Sequence, residues 1–414
     1  MTQVQRTPVF ISCILGSFIC WYDFMIFGMA TAMVFSSVFF ADQPFLIPLM
    51  VFAVGFAARL LGGTIFGHYG DKFGRKNVLF LTLMLTAVAT VGIGLLPNYA
   101  QIGIAAPILL ICLRLLQGVA FGAEMAATST VMYEYNQQST NKGFLNSFLQ
   151  TGLPLATIAS AAIFALVVSS FDKEVFLDWA WRIPFLLSSL LLIVGIYVRR
   201  KVLETPEFEL ICKQGRRLDY PISVLIKDHW KKLILSIGIN QAGGVWNYTI
   251  LIWGFAYLVN TLSIPRPELT QTLSMVATVG VFLIVFYGWL GDRLGRINMF
   301  NLSTVGGLIL IIPVLTWLSQ GEVLLPLILG YAVVGKLMWA QAPTFFSELF
   351  PAEVRQSANG IVFGTTALIG GGVGPLAAQM LFDIDKNIMH VGYLLLAAGL
   401  WAVISGIALR KYVK

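Results

Sequence analysis

The sequence predicts an all-α integral membrane protein, with twelve transmembrane helices in two six-helix halves related by an internal repeat. Three observations predict it. Of 414 residues, 57% are hydrophobic and 11% charged, against about 25% charged in a soluble domain. Twelve apolar runs reach the length of about 20 residues that a hydrocarbon core ~30 Å thick demands. Third, Gly67-His-Tyr-Gly-Asp71-Lys-Phe-Gly-Arg75-Lys76 returns as Gly288-Trp-Leu-Gly-Asp292-Arg-Leu-Gly-Arg296-Ile297, with the glycines, the Asp and the Arg at the same spacing. Each copy lies between two apolar runs. A short charged turn repeated once per half-chain marks a duplicated transporter.

The spans fall at 9–36, 46–69, 77–96, 102–132, 143–170, 180–199, 232–259, 269–290, 298–318, 323–347, 356–382 and 390–410. Lipid cannot satisfy open backbone groups, so each span is a helix. The first run is too long for the apolar core of a signal peptide and is expected to stay as an anchor. Twelve spans put both termini on one side of the membrane. Twenty of the 27 Lys and Arg lie on that side, four lie in the opposite loops, and Arg59, Arg114 and Lys336 fall inside spans. The bias places both termini in the cytoplasm, and a bacterial inner (plasma) membrane is the expected location. Residues 1–200 form the first half, 201–230 a partly helical linker too short for its own core, and 231–414 the second half.

A net charge of +7 does not signal nucleic acid, because the basic residues sit in short loops beside apolar spans. Cys13, Cys20, Cys112 and Cys212 have no disulfide or metal spacing. The expectation is a carrier rather than an enzyme, with no metal and no cofactor. Its partners are a small-molecule substrate, protons and the bilayer, and it is expected to be monomeric.

Ionisable groups inside a membrane are costly and mark function by default. Asp23 lies in the first span, Arg59 in the second, Arg114 and Glu124 in the fourth and Lys336 in the tenth. Gln117 and Glu124, seven apart, share a helix face, with Arg114 within a quarter-turn. Three cations against two anions leave room for an anionic substrate group. The competing expectation is a pair of static ion pairs, Asp23–Arg59 and Glu124–Arg114. Tyr22, Gln150, Asn240, Gln241, Asn247, Tyr248 and Gln341 are polar at similar depth and are candidates for substrate hydrogen bonds or for interhelical ones. Trp21, Trp246 and Trp339 are candidates for cavity walls.

Trp21-Tyr22-Asp23-Phe24, Phe56-Ala-Ala-Arg59 through Gly67-His68, and Arg114-Leu-Leu-Gln117-Gly118 through Gly122-Ala-Glu124 carry a resemblance. So do Trp181-Arg182-Ile-Pro184-Phe185 and Glu204-Thr-Pro206-Glu-Phe208. They resemble elements of the metabolite:proton symporter branch of the major facilitator superfamily, and the two Gly-rich turns resemble that superfamily's signature loop. Leu60, where the branch usually has Pro, and Ala123, in place of a second Gly, depart from the pattern. The resemblance implies the major facilitator fold and carriage of small acids or zwitterions, usually with protons. It also implies that Gly67, Asp71 and Arg75 latch the second helix to the eleventh in the outward-open state. Asp292 and Arg296, with Glu348 and Arg355, would form the matching latch.

The expected function is therefore proton-coupled uptake of a small carboxylate-bearing metabolite by alternating access. Arg59, Arg114 and Lys336 would hold substrate charge or tune the coupling group, which would be Asp23 or Glu124, and Gln117 would be among the substrate-binding residues. A proton-coupled exporter or antiporter is the first alternative; the fifth span carries only Gly152-Leu-Pro154 of the glycine-rich pattern typical there. A non-transporting metabolite sensor is the second.

Overall fold

The computed structural model describes residues 3–40 and 46–413. Twelve long helices account for nearly all of them. α1 (3–39), α2 (Leu46–Phe73), α3 (Arg75–Leu95), α4 (Ala105–Asn136), α5 (Lys142–Ser170) and α6 (Ala180–Arg200) make the first half. α7 (Pro221–Asn260), α8 (Arg266–Leu294), α9 (Arg296–Ser319), α10 (Leu324–Leu349), α11 (Arg355–Asp383) and α12 (Ile388–Tyr412) make the second. Of these twelve, all except α2, part of which has undescribed side chains, are long and apolar enough to cross a membrane. α7 begins at Pro221, inside the stretch expected as linker, and a short helix, Pro206–Lys213, lies in the rest of it.

The duplicated turn explains how the halves meet. Its third glycine, Gly74 or Gly295, takes φ of 109° or 84°, a left-handed conformation that favours glycine. That kink ends one helix and starts the next with no intervening loop. Upstream, the small residues let helices touch through their backbones. A Cβ on Gly63 of α2 would lie 2.5 Å from the carbonyl oxygen of Gly360 on α11. A Cβ on Gly288 of α8 would lie 2.8 Å from the carbonyl oxygen of Gly143 on α5. The two seams, α2–α11 and α8–α5, occupy equivalent places in the repeat and join the halves at the end where the basic loops gather.

Short π-helical stretches interrupt α1 (Thr31–Phe35), α7 (Thr249–Gly254), α10 (Leu327–Gly335) and α11 (Ala367–Val373). Those in α1 and α7 fall in the equivalent first helix of each half. Such bulges locally loosen a helix and cluster at functional sites.

Candidate functional site: a central cavity and two end latches

The cavity lies between the halves, a narrow slot of about 30 Å³, room for water, so the halves must part to admit a metabolite. The first half supplies Trp21 from α1, Arg59 from α2 and Phe121 from α4; the second supplies Asn240 and Tyr248 from α7, Trp339 from α10 and Thr366 from α11. Gly122, Gly244 and Gly364 complete the walls without side chains.

Among the described residues, Arg59 is the one charged side chain in that lining. Its guanidinium lies 3.7 Å from the ring centre of Phe121, 4.2 Å from Phe24 and 4.8 Å from Phe56. It donates to the Tyr248 hydroxyl at 3.3 Å, across the gap between the halves. Aromatic faces stabilise a buried cation by about 2 kcal/mol or more when desolvated, and they do so without neutralising it. Among the described residues no carboxylate comes within ion-pair distance of Arg59. The Asp23–Arg59 pair entertained above does not form.

Asp23 instead turns toward α3 and α6. Thr90 donates to one carboxylate oxygen at 2.7 Å and Ser188 to the other at 2.6 Å. Thr90 also accepts from the Gln117 amide at 3.2 Å, and Gln117 accepts from Arg114 at 2.6 Å. Arg114 thus reaches Asp23 through an amide and a hydroxyl. Its guanidinium also lies over Phe27, at 4.0 Å, and Phe24, at 5.2 Å. A hydroxyl can donate or accept, so this setting accommodates both the ionised and the protonated carboxyl.

Glu124 has a partner that the spacing along α4 did not suggest. It pairs with Arg199, at the end of α6, and accepts from Thr82 at 2.6 Å. Arg199, which reads in sequence as the first of a basic cytoplasmic cluster, is buried. The Glu124–Arg114 pair is therefore also absent. Removing one partner of a buried pair costs about 3–5 kcal/mol, whereas replacing both with apolar groups is often neutral. Arg199→Met is expected to lower thermal stability sharply, and adding Glu124→Leu to restore most of it. Equal stability of the wild type and Arg199→Met in a thermal unfolding assay would show that the pair is not structural.

The remaining expected site residues divide. Asn240 and Tyr248 line the cavity, where Asn240 donates to Thr366 at 2.8 Å. Gln241 sits behind them and reaches the same hydroxyl at 3.4 Å. Tyr22 points away, its hydroxyl donating to the Pro184 carbonyl at 3.1 Å. Gln341 donates to the Tyr287 carbonyl on α8 at 2.6 Å. Gln150 and Asn247 are buried; both polar atoms of the Gln150 amide, and the Asn247 oxygen, have no partner among the described residues. Trp246 donates to the Gly330 carbonyl. Lys336 is buried outside the cavity lining, its ammonium 3.7 Å from the Tyr331 ring centre and its stem beside Gly280 of α8.

At the basic end, Asp71 accepts from the first amides of α11, Gln356 at 3.1 Å and Ser357 at 2.8 Å, and from the Ser357 hydroxyl at 2.7 Å. Asp292 accepts from the first amides of α5, Gly143 and Phe144, both at 2.8 Å. An anion at a helix N-terminus is favoured by the unpaired amides and the helix dipole. Gly67 is part of the first contact, since a Cβ there would lie 2.8 Å from Ser357 Cα. Arg75 stands 3.3 Å from Asp71, and Arg296 2.7 Å from Asp292. Glu348 holds Arg296 at 3.0 Å and Lys142 at 2.5 Å. Arg355 lies in the Asp71 cluster rather than the Asp292 one: it pairs with Glu134 of α4 at 2.8 Å, and Arg75 approaches the same carboxylate at 3.4 Å.

Glu204, in the linker, accepts from the first amides of α3, Arg75 at 3.1 Å and Lys76 at 3.3 Å. Burial pushes the Glu204 carboxyl above its ordinary range, while the amides of Thr205, Lys76 and Arg75 pull it back. Tyr135 donates to the Leu203 and Glu204 carbonyls at 3.2 Å. Thr82, Thr90, Ser188, Glu134 and Thr366 are not among the residues expected from the sequence, and Arg199 and Glu204 read there as a loop cation and a motif residue, not as buried partners. Thr82, Thr86 and Thr90 were findable, because residues four apart mark a polar face on α3.

Comparison with known proteins agrees with this arrangement. A putative metabolite transport protein of Haemophilus influenzae is 32% identical over 99% of this chain and 98% of its own. The shikimate transporter of Escherichia coli is 30% identical over 93% of this chain and 90% of its own. The proton:xylose symporter XylE, in complex with a bromo-deoxyglucose, superposes with a TM-score of 0.79 over all of this chain and 97% of that one, at 16% identity. The model of the Major Facilitator Superfamily matches residues 13–375. The chain is a multi-pass membrane transporter, not an enzyme, and belongs to the major facilitator superfamily.

Proposed function

We propose that the chain imports a small carboxylate-bearing metabolite together with protons, across a bacterial inner membrane, with the basic loops and both termini in the cytoplasm. Arg59 carries the reading: a cation held in the central cavity by aromatic faces and one phenol, with no carboxylate among the described residues beside it. A substrate carboxylate is the group that completes it. The bound acid would take the place of Tyr248 on Arg59, so contact passes between α2 and α7 through the ligand. Both halves then grip one molecule, as alternating access requires.

Asp23 is the better coupling group of the two buried acids. Glu124 is committed to Arg199, whereas Asp23 meets only hydroxyls. Asp23 is also two residues from Trp21, a cavity wall, and one from Phe24, whose ring touches both Arg59 and Arg114. Filling the cavity therefore bears directly on its surroundings. Lys336 lies off the cavity in this conformation. A role in substrate contact would need α10 to turn, and Lys336→Ala is expected to leave binding in the present conformation nearly unchanged. The name of the shikimate transporter, an acid carrier by that name, supports a carboxylate as cargo.

Uptake by proteoliposomes under an imposed inward proton gradient tests the whole. Accumulation is expected to follow the gradient, to collapse with a protonophore and to vanish in Arg59→Gln. A strict sodium requirement with no effect of the protonophore would remove proton coupling, and exit driven by the same gradient would favour an exporter.

A further inference from the structure

We infer, on the reading that Arg59 receives a carboxylate, that the carried acid has one carboxylate on a flat, unsaturated body and no ammonium group. The charges select first. An amino acid or betaine would bring its cation into a slot whose one charged side chain is already a cation. Asp23 and Glu124 face hydroxyls and Arg199 on other helices, so no carboxylate lines the slot to receive it. The aromatic faces do not offer a cage for a quaternary ammonium either, since Phe121, Phe24 and Phe56 already pack on Arg59. A second carboxylate finds no second cation in the lining. The ammonium of Lys336 is laid on Tyr331 beside α8, and the guanidinium of Arg114 is engaged by Gln117 and Phe27. A buried charge left unpaired is strongly disfavoured.

The donor balance points the same way. Trp21 and Trp339 both line the slot, and the ring N–H of each is buried with no acceptor among the described residues. With Arg59 and the Tyr248 hydroxyl, the site is rich in donors. A ligand that brings acceptor oxygens satisfies them, and one that brings further N–H groups does not.

Shape completes the selection. The indoles of Trp21 and Trp339 meet edge to face, with centres 5.9 Å apart, and Gly122, Gly244 and Gly364 give walls without side chains. As the halves part, a slot narrowed by rings and bare backbone opens to a planar body before a puckered one, and offset or edge contacts between rings favour an unsaturated one. The Asn240 side chain, whose amide nitrogen is spent on Thr366, keeps its oxygen for a hydroxyl on that body.

Calorimetry and thermal shift on the purified full-length protein in nanodiscs test this with six probes: benzoate, 4-hydroxybenzoate, cyclohexanecarboxylate, succinate, glycine betaine and benzamide. Benzoate and 4-hydroxybenzoate are expected to bind at least tenfold more tightly than the other four. Arg59→Gln should abolish that binding, and Trp339→Phe, which keeps a ring and removes the N–H, should weaken it severalfold. If betaine or succinate binds best and Arg59→Gln abolishes it, the single-charge inference is overturned while the carboxylate reading stands. Equal binding of cyclohexanecarboxylate and benzoate overturns the flat body. Binding of none of the carboxylates, or binding indifferent to Arg59→Gln, overturns both this inference and the reading beneath it.

Discussion

Replacing Asp23 by Asn is expected to abolish proton-driven accumulation while leaving exchange of substrate across the membrane intact. An amide occupies the same space and can accept from one of the two hydroxyls while donating to the other, so the junction of α1, α3 and α6 survives. What it cannot do is gain and lose a proton. One unit of pH is worth 1.36 kcal/mol per proton. A carrier moving one proton with each substrate molecule therefore concentrates it about tenfold per unit of gradient. The variant should fall to no concentration at all, a loss that deepens with the gradient applied. Uptake against an imposed pH step reads the first property, and counterflow with preloaded unlabelled substrate reads the second. Normal accumulation by Asp23→Asn would release Asp23 from the role and hand it to Glu124.

The second large effect belongs to the α2–α11 seam. Gly360→Leu places a side chain where the Gly63 backbone already lies, and nothing there can yield without moving a helix. Overpacking of this kind costs about 1–3 kcal/mol or more. That is comparable to the few kcal/mol separating the conformations of a two-state protein, so the closed basic end should lose most of its population. Asp71→Asn acts on the same seam more mildly, by weakening bonds to the α11 amides that contribute roughly 1.5–3 kcal/mol when charged. Both variants, and Asp292→Asn in the other seam, should lower turnover far more than equilibrium binding. Spin labels at Gln138 and Arg293, both exposed at the basic end, report the opening as longer distances. Unchanged distances in Gly360→Leu, or a chief effect on affinity, would contradict the latch.

The repeat made these seams legible before any coordinates. Two turns at equal spacing imply two equivalent helix junctions, and an Asp at each implies a helix N-terminus to receive it. The polar network was harder. Periodicity tells which residues share a helix face but not which helix that face meets. Glu124 was read against Arg114 because both lie on α4, while its partner comes from the end of α6 and looks, in sequence, like one more loop arginine. Tyr22 failed as a cavity residue for a geometric reason. One step along a helix from Trp21 is a turn of about 100°, which carries Tyr22 to Pro184. Arg355 was assigned to the Asp292 cluster by its closeness to Glu348 in sequence, but the start of α11 carries it to Glu134 instead.

The capping of α3 by Glu204 moves the seam between the two halves along the chain. From Leu203 to Lys213 the linker belongs to the first six helices: Glu204 closes the start of α3, Tyr135 holds two of its carbonyls, and Phe208 lies under Arg75 at 4.7 Å. One residue past Gly215, Arg216 already pairs with Glu353 of the second half. Gly215 itself has a φ of 66° and open space where a Cβ would stand. Two polypeptides made separately and broken at Gly215 would each carry its own contacts intact and could reassemble across the same two seams. A break at residue 200, where the apolar pattern ends, would leave the first piece without the carboxylate that finishes its third helix. In this chain the piece that keeps its own contacts is six helices plus a tail, and chimaeras joined at Gly215 are expected to keep it whole.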